Sequence, residues 1–330
     1  GAWASVLACE TLADHPYRLS VSNAAAFRAQ LGPSQEGVLV ERLAAGAIHC
    51  FDEIVESVDP SLLGPGFTAE RFLRGWLLVI SRAFLLDGSR ATMVPVTDMF
   101  NHRPRDASAR VRWDAEEEAM VVEATRDIAQ GEEVVYSYGD ELSNSNLFRT
   151  YGFTIPVVEA PCWTFLALPA EAQGVLRRHL PADAARRVIE LDSRWVHPTL
   201  RTAIEACRGL DLLGSGEAPE LRVRKFLDEF LGHWLEGYLQ DPCLAELTTN
   251  GPSLERMLDP VEGRALLEVF SVLGRNNASS LKLSEAICLV AHRRALDASE
   301  KVGPNASQVL PAWLRPLAED LCGAIRGSSS

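Results

Sequence analysis

Between positions 81 and 153 the sequence gathers residues whose side chains suit binding and orienting. They are Ser81-Arg82-Ala83-Phe84, then Asp98 with Asn101-His102, then Tyr136-Ser137-Tyr138-Gly139, and finally Asn144 and Tyr151-Gly152-Phe153. Arg82 offers a rigid fork of donors that suits a carboxylate, Asn101 and His102 offer mixed donors and acceptors, and tyrosines offer apolar walls with a polar tip. Each also has a structural reading when taken singly. Asn101-His102 fits a turn with a satisfied histidine, Tyr138-Gly139 a strand end, Arg82 an ion-pair partner and Phe153 a core residue. Motifs of other chemistries are missing: there is no P-loop, no G-x-G-x-x-G after a strand, no H-E-x-x-H and no G-x-S-x-G. Local His and Cys spacing does not assemble a metal site either.

The elements that must position these residues are short and mixed. Apolar spacing at Val38, Leu39, Leu43, Ile48, Phe51, Ile54 and Val55 predicts helix, followed by a loop from Asp59-Pro60 to Gly64-Pro65-Gly66. Thr68 is a candidate N-cap for a second helix, with Phe72, Leu73, Trp76, Leu77, Ile80 and Phe84 as its apolar face. From Thr92 the texture turns to β: Thr92–Thr97, a hairpin of Arg110–Asp114 with Met120–Ala124 across Glu116-Glu117-Glu118, and Glu133–Tyr138. Beyond Pro161 the pattern predicts helices near Ala182–Ser193, His197–Cys207, Pro219–Leu239, Val261–Leu273, Leu283–Leu296 and Pro311–Ile325.

Composition bounds the remaining choices. The 330 residues are 47% hydrophobic and 23% charged, enough for one large domain or two ordinary ones. No apolar run, Trp76 to Ile80 included, approaches the ~18–20 residues of a membrane span. A formal charge of −13 argues against a nucleic-acid surface. Seven cysteines lie scattered without a C-x-x-C pair, which reads as reduced thiols in an intracellular compartment, with cytoplasm, nucleus and plastid all compatible.

In their order and spacing the motif residues resemble the SET-domain methyltransferases of the Rubisco large-subunit lysine methyltransferase type. The resemblance rests on Ser81-Arg82-x-Phe84, Pro95-x-x-Asp98-x-x-Asn101-His102, Tyr138-Gly139, Asn144 and Tyr151-Gly152-Phe153. It covers roughly residues 65–155 by motif and the helical remainder by architecture. It implies an α+β fold with small irregular SET-type sheets, a helical insertion and an all-α C-terminal domain. The expected boundaries are 1–85 for the helical insertion segment, 86–158 for the C-terminal half of the SET domain and 159–330 for a helical substrate-binding domain.

The same resemblance implies S-adenosyl-L-methionine as cofactor and a lysine on a non-histone protein as substrate, in a monomer that needs neither membrane nor nucleic acid. Tyr138 would be the catalytic tyrosine and would also touch the cofactor. Arg82, Asn101, His102 and Phe153 would bind the cofactor, Arg82 through its carboxylate and Phe153 against its adenine. Tyr151 would line the lysine channel, and Asp98 would anchor the Asn-His loop or meet substrate. Two departures stand out. The family's Gly-x-Gly strand has no counterpart within residues 1–60, so the chain reads as beginning inside a protein or as one that has lost that strand. Arg103 follows His102 where a serine is usual. The readings left open are a protein-histidine methyltransferase of the same subgroup and a catalytically inactive peptide-binding protein.

Overall fold

The computed structural model describes Trp3, Leu7 and residues 12–86, 90–155, 162–167, 188–209, 218–242, 244–245, 277–300 and 314–327. Helices lead the chain: α1 (Pro16–Ser22), α2 (Ala24–Leu31), α3 (Glu36–Ser57) and α4 (Ala69–Arg82). His15 caps α1, its ring accepting from the Tyr17 amide, and Pro16 fills the first helical position, where no amide is needed. Thr68 caps α4 as the sequence predicts, accepting from the Arg71 amide at 3.3 Å. Along α3 the buried stripe is Val40, Ala44 and Ala47, spaced four and three apart, whereas Val38, Leu43 and Val55 point to solvent. The expected face was therefore rotated, because small alanines fill the close-packed side of this helix.

Helix α4 ends at Arg82 and the chain enters β1 (Ala83–Leu86) directly, so Phe84 belongs to a strand and not to the helix face. β1 pairs antiparallel with β2 (Arg90–Met93), and α4 packs on this pair. After a one-turn helix at Thr97–Met99 comes β3 (Asn101–His102). The expected hairpin forms from β4 (Ala109–Asp114) and β5 (Ala119–Ala124), registered from Ala109 opposite Ala124 to Asp114 opposite Ala119. β6 (Val135–Tyr136) is shorter than the expected Glu133–Tyr138 and pairs in parallel with β3. α5 (Asn144–Tyr151) follows.

Two compact units form, one from Gly1–Arg28, Val38–Leu142 and Asn146–Phe153, the other from Ala29–Gly37, Ser143–Ser145 and Thr154–Ser330. The second unit contains β7 (Trp163–Ala167), β8 (Val188–Asp192), α6 (Pro198–Gly209), α7 (Pro219–Leu239), α8 (Asn277–Glu300) and α9 (Arg315–Arg326). Four of the predicted helices appear. The expected helix over Ala182–Ser193 does not, since residues 188–192 pair with β7, and the one over Val261–Leu273 lies outside the described residues. Among the described residues the C-terminal half is thus helical with one antiparallel strand pair, whose Leu166, Ile189 and Leu191 join the helical core. Among the described residues no helix is long and apolar enough to cross a membrane.

Helix α8 is central to this unit, packing on α7, α9 and the strand pair, and it carries buried polar groups. Lys282 places its ammonium 2.8 Å from both oxygens of Asp241. Gly32, at φ +55°, lies so close that a Cβ there would stand 2.4 Å from Asp241 Oδ2, so only glycine fits. The Glu285 carboxylate accepts from Ser34 Oγ at 3.0 Å and from the Tyr238 hydroxyl at 2.9 Å. Burial, with Glu36 nearby as a second carboxylate, pushes Glu285 up to about 8.

At neutral pH Glu285 therefore keeps a proton in the folded state that the unfolded chain has released. Its contribution to stability is complete below the ordinary carboxylate range and is lost as pH rises through about 8. His292, buried on the same helix and lowered to about 4 by desolvation, acts oppositely and loses stability as pH falls below about 6.5. Glu285→Gln removes the first of these titrations. In urea unfolding across pH about 5 to about 8, the variant should show a flatter decline in stability than the wild type. Equal slopes would mean that Glu285 is ionised in the fold.

Candidate active site

The helix-to-strand junction at Arg82-Ala83 and the β3–β6 ladder bring most of the singled-out residues of the first unit into one place. In the ladder Asn101 lies opposite Val135 and His102 opposite Tyr136, and the Arg103 amide extends the pairing by donating to the Tyr136 carbonyl at 3.0 Å. Ser108 supports β6, its hydroxyl accepting from the Val135 amide at 3.0 Å. The chain then turns back over β3. Tyr138 donates its hydroxyl to the Phe100 carbonyl at 2.8 Å and its amide to His102 Nδ1 at 3.1 Å.

Tyr138 is also the hub of an aromatic cluster. Its ring centroid lies 4.8 Å from Tyr151, 5.0 Å from both His102 and Tyr136, and 6.3 Å from Phe153. Such tilted and edge-on contacts each add about 0.5–1.5 kcal/mol beyond area burial. Burial raises the hydroxyls of Tyr136 and Tyr151 above the usual tyrosine value, Tyr136 with help from its tyrosine neighbours and Asp98. Both are neutral phenols at physiological pH. His102 is lowered by desolvation, opposed by Asp140, so its ring is neutral as well. Because Nδ1 accepts the Tyr138 amide, the ring proton is assigned to Nε2, which is buried with no hydrogen-bond partner among the described residues.

A cavity of about 400 Å³ opens beside this cluster. Arg82, Phe84, Leu85, Asp98, Arg112, Tyr136, Tyr138 and Tyr151 contribute to its lining. One Arg82 amino group donates to the Asp98 carbonyl at 2.7 Å, which aims the guanidinium along the loop leading to Asn101. The Asp98 side chain is buried, and both its oxygens accept from the Trp3 indole at 3.0 and 3.1 Å. The Asp98 carboxylate, expected to anchor the Asn-His loop or meet substrate, is thus tied to Trp3. Asn101 is exposed and donates to Glu133, and Phe153 meets Tyr138 edge-on. Asn144 belongs to the second unit, where its amide group both donates to and accepts from the Ile155 backbone, a structural clamp.

Sequence reasoning missed Tyr136 as a cavity wall and Trp3 as the partner of Asp98. It also missed Val96, held at φ 75° and ψ −50° although it is β-branched and 65% exposed. Such a conformation costs about 1–3 kcal/mol in a non-glycine residue. It is held by the following turn, in which the Met99 amide donates to the Val96 carbonyl and the Phe100 amide to the Thr97 carbonyl. Val96→Gly should therefore raise stability by about 1 kcal/mol in denaturant unfolding, relief of strain outweighing the added freedom of the unfolded chain. A loss of stability would mean that the valine side chain contributes more than its backbone costs.

Residues 12–139 match the family model described as the SET domain. Over 68 residues, 21% of this chain, the sequence is 43% identical to ribosomal lysine N-methyltransferase 4 of Schizosaccharomyces pombe (strain 972 / ATCC 24843), and that stretch spans 14% of the relative. The fold is similar to that of the SET domain of LSMT bound to lysine and AdoHcy, with a TM-score of 0.53 and 17% identity over 91% of this chain and 70% of that one. It is also similar to Rubisco LSMT bound to AdoMet, with a TM-score of 0.50 and 18% identity over the same shares of the two chains. The paired short strands of the first unit and Tyr138 thus lie within the stretch, residues 12–139, over which the chain matches the SET-domain model.

Proposed function

We propose that the chain transfers a methyl group from S-adenosyl-L-methionine to the side-chain nitrogen of a lysine on a non-histone protein. The observation that carries this reading is the placement of Tyr138, whose hydroxyl is fixed on the Phe100 carbonyl at the centre of a neutral aromatic cluster. With its proton spent on that carbonyl, the phenolic oxygen has lone pairs left to accept weak C–H contacts. It orients a methyl group without acting as a strong base. The relative's name and the lysine and AdoHcy bound by LSMT support the reading.

The residues fit such a cofactor. His102 Nε2 is a buried donor without a partner among the described residues, and Arg82 is aimed along the Asp98–Asn101 loop at the edge of the cavity. Arg82 would meet the carboxylate, Asn101 and His102 the polar groups and Phe153 the adenine face. When bound, the cofactor supplies an electrophilic methyl on a sulfonium for an in-line displacement. The protein's part is positioning and desolvation. Tyr136 and Tyr151 present neutral walls, so an ammonium entering the cavity loses water without gaining a counter-charge from them, which favours the free amine. Residues 159–330, with a core of their own, would hold the substrate protein.

Calorimetric titration with S-adenosylmethionine tests the assignment. The wild type should bind, and Asn101→Ala should bind about tenfold more weakly, the loss of one good hydrogen bond. Tyr138→Phe should bind the cofactor about as well as the wild type yet transfer methyl groups to lysates about 100-fold more slowly. A folded wild type that does not bind would overturn the proposal.

A further inference from the structure

His15 precedes α1, far in sequence from the residues that line the cavity, yet it is only 3% exposed and touches the end of α5. Its Nδ1 accepts from the Tyr17 amide at 3.4 Å, which leaves the ring proton on Nε2, and Nε2 lies 3.4 Å from the Thr150 carbonyl. Gly152, at φ +81°, passes so close to the ring that a Cβ there would stand 3.0 Å from His15 Cδ2 and 3.5 Å from its Cα. The Gly152 amide donates to the Phe148 carbonyl at 3.0 Å, closing the last turn of α5. The His15 ring is backed by Tyr17 at 5.2 Å, which in turn rests on Trp76 of α4 at 5.4 Å. Desolvation lowers His15 to about 4, so the ring stays neutral and keeps one fixed tautomer at physiological pH.

The two residues flanking Gly152 are Tyr151 and Phe153, which stand 4.8 and 6.3 Å from the Tyr138 ring. We propose that His15 is a positioning residue, which fixes the Thr150–Gly152 turn so that Tyr151 and Phe153 hold their places against Tyr138. A helix cap alone would need only the Nδ1 acceptor. The close approach to Gly152 and the link from Nε2 to Thr150 serve the far element and not α1. The catalytic consequence rests on the methyltransferase reading, whereas the structural role does not.

Two substitutions separate the cap from the link. His15→Asn keeps a capping oxygen for the Tyr17 amide but is too short to reach Thr150. His15→Gln loses the good cap but carries an amide that can donate to the Thr150 carbonyl. Hydrogen exchange at the Gly152 amide, read by mass spectrometry on full chains, should be about tenfold faster in H15N than in the wild type and near wild type in H15Q. Melting temperature should rank the two in the opposite order. Titration with S-adenosylhomocysteine should show about tenfold weaker binding by H15N and rescue by H15Q. Exchange at Gly152 that is unchanged in H15N, or that merely follows melting temperature across the series, would overturn the proposal. Failure of the wild type to bind S-adenosylhomocysteine would count against the methyltransferase reading alone, because the exchange rates still decide the role of His15.

Discussion

The hydroxyl of Tyr138 donates to the Phe100 carbonyl while its amide donates to His102 Nδ1, and these bonds reinforce a parallel ladder of two residues that the Arg103 amide extends. So short a ladder cannot fix the geometry of a site by itself. A neutral hydrogen bond contributes only about 0.5–1.5 kcal/mol net, but leaving its buried partner unsatisfied costs about 1–3 kcal/mol. The second figure decides the matter, since any slip of β6 against β3 would strand the Phe100 carbonyl or the Tyr138 amide. The placement of Tyr138 thus follows from polar satisfaction, and the ring contacts around it add rigidity.

The two units solve their polar problems differently. In the first, neutral phenols and an arginine held by a backbone carbonyl line a cavity, and a neutral imidazole packs against the tyrosine hub beside it. Its loop is held in a strained conformation at Val96, as loops next to sites often are. In the second, Lys282, Asp241, Glu285, Tyr238 and Ser34 satisfy one another in the interior. There a carboxyl remains protonated near neutrality, because burying a second negative charge near Glu36 costs more than holding a proton.

Local signals in the sequence were enough for some elements. Thr68 and the apolar run after it marked α4, and alternation across Glu116-Glu117-Glu118 marked the β4–β5 hairpin. The site residues were legible through the resemblance of their ordered motifs, because no spacing rule connects Arg82, His102 and Tyr138. What failed was non-local. Val188–Asp192 has no local mark separating it from a helix, and its strand character comes from pairing with Trp163–Ala167. The Trp3–Asp98 bond spans 95 positions and the His15–Thr150 contact 135, distances that no periodicity records. The face of α3 was misplaced because alanine contributes little to a hydrophobic pattern but packs most closely.

The β3–β6 crossing also bears on the order in which the protein becomes structured. The bonds that fix Tyr138 span 36 and 38 positions and enclose the β4–β5 hairpin, which is stitched together by neighbours. Loop-closure entropy opposes the long pairing until the local pieces exist, and only a two-residue ladder rewards it. Helix α4 and the hairpin close over short sequence separations, whereas the tyrosine hub carries the larger loop-closure cost.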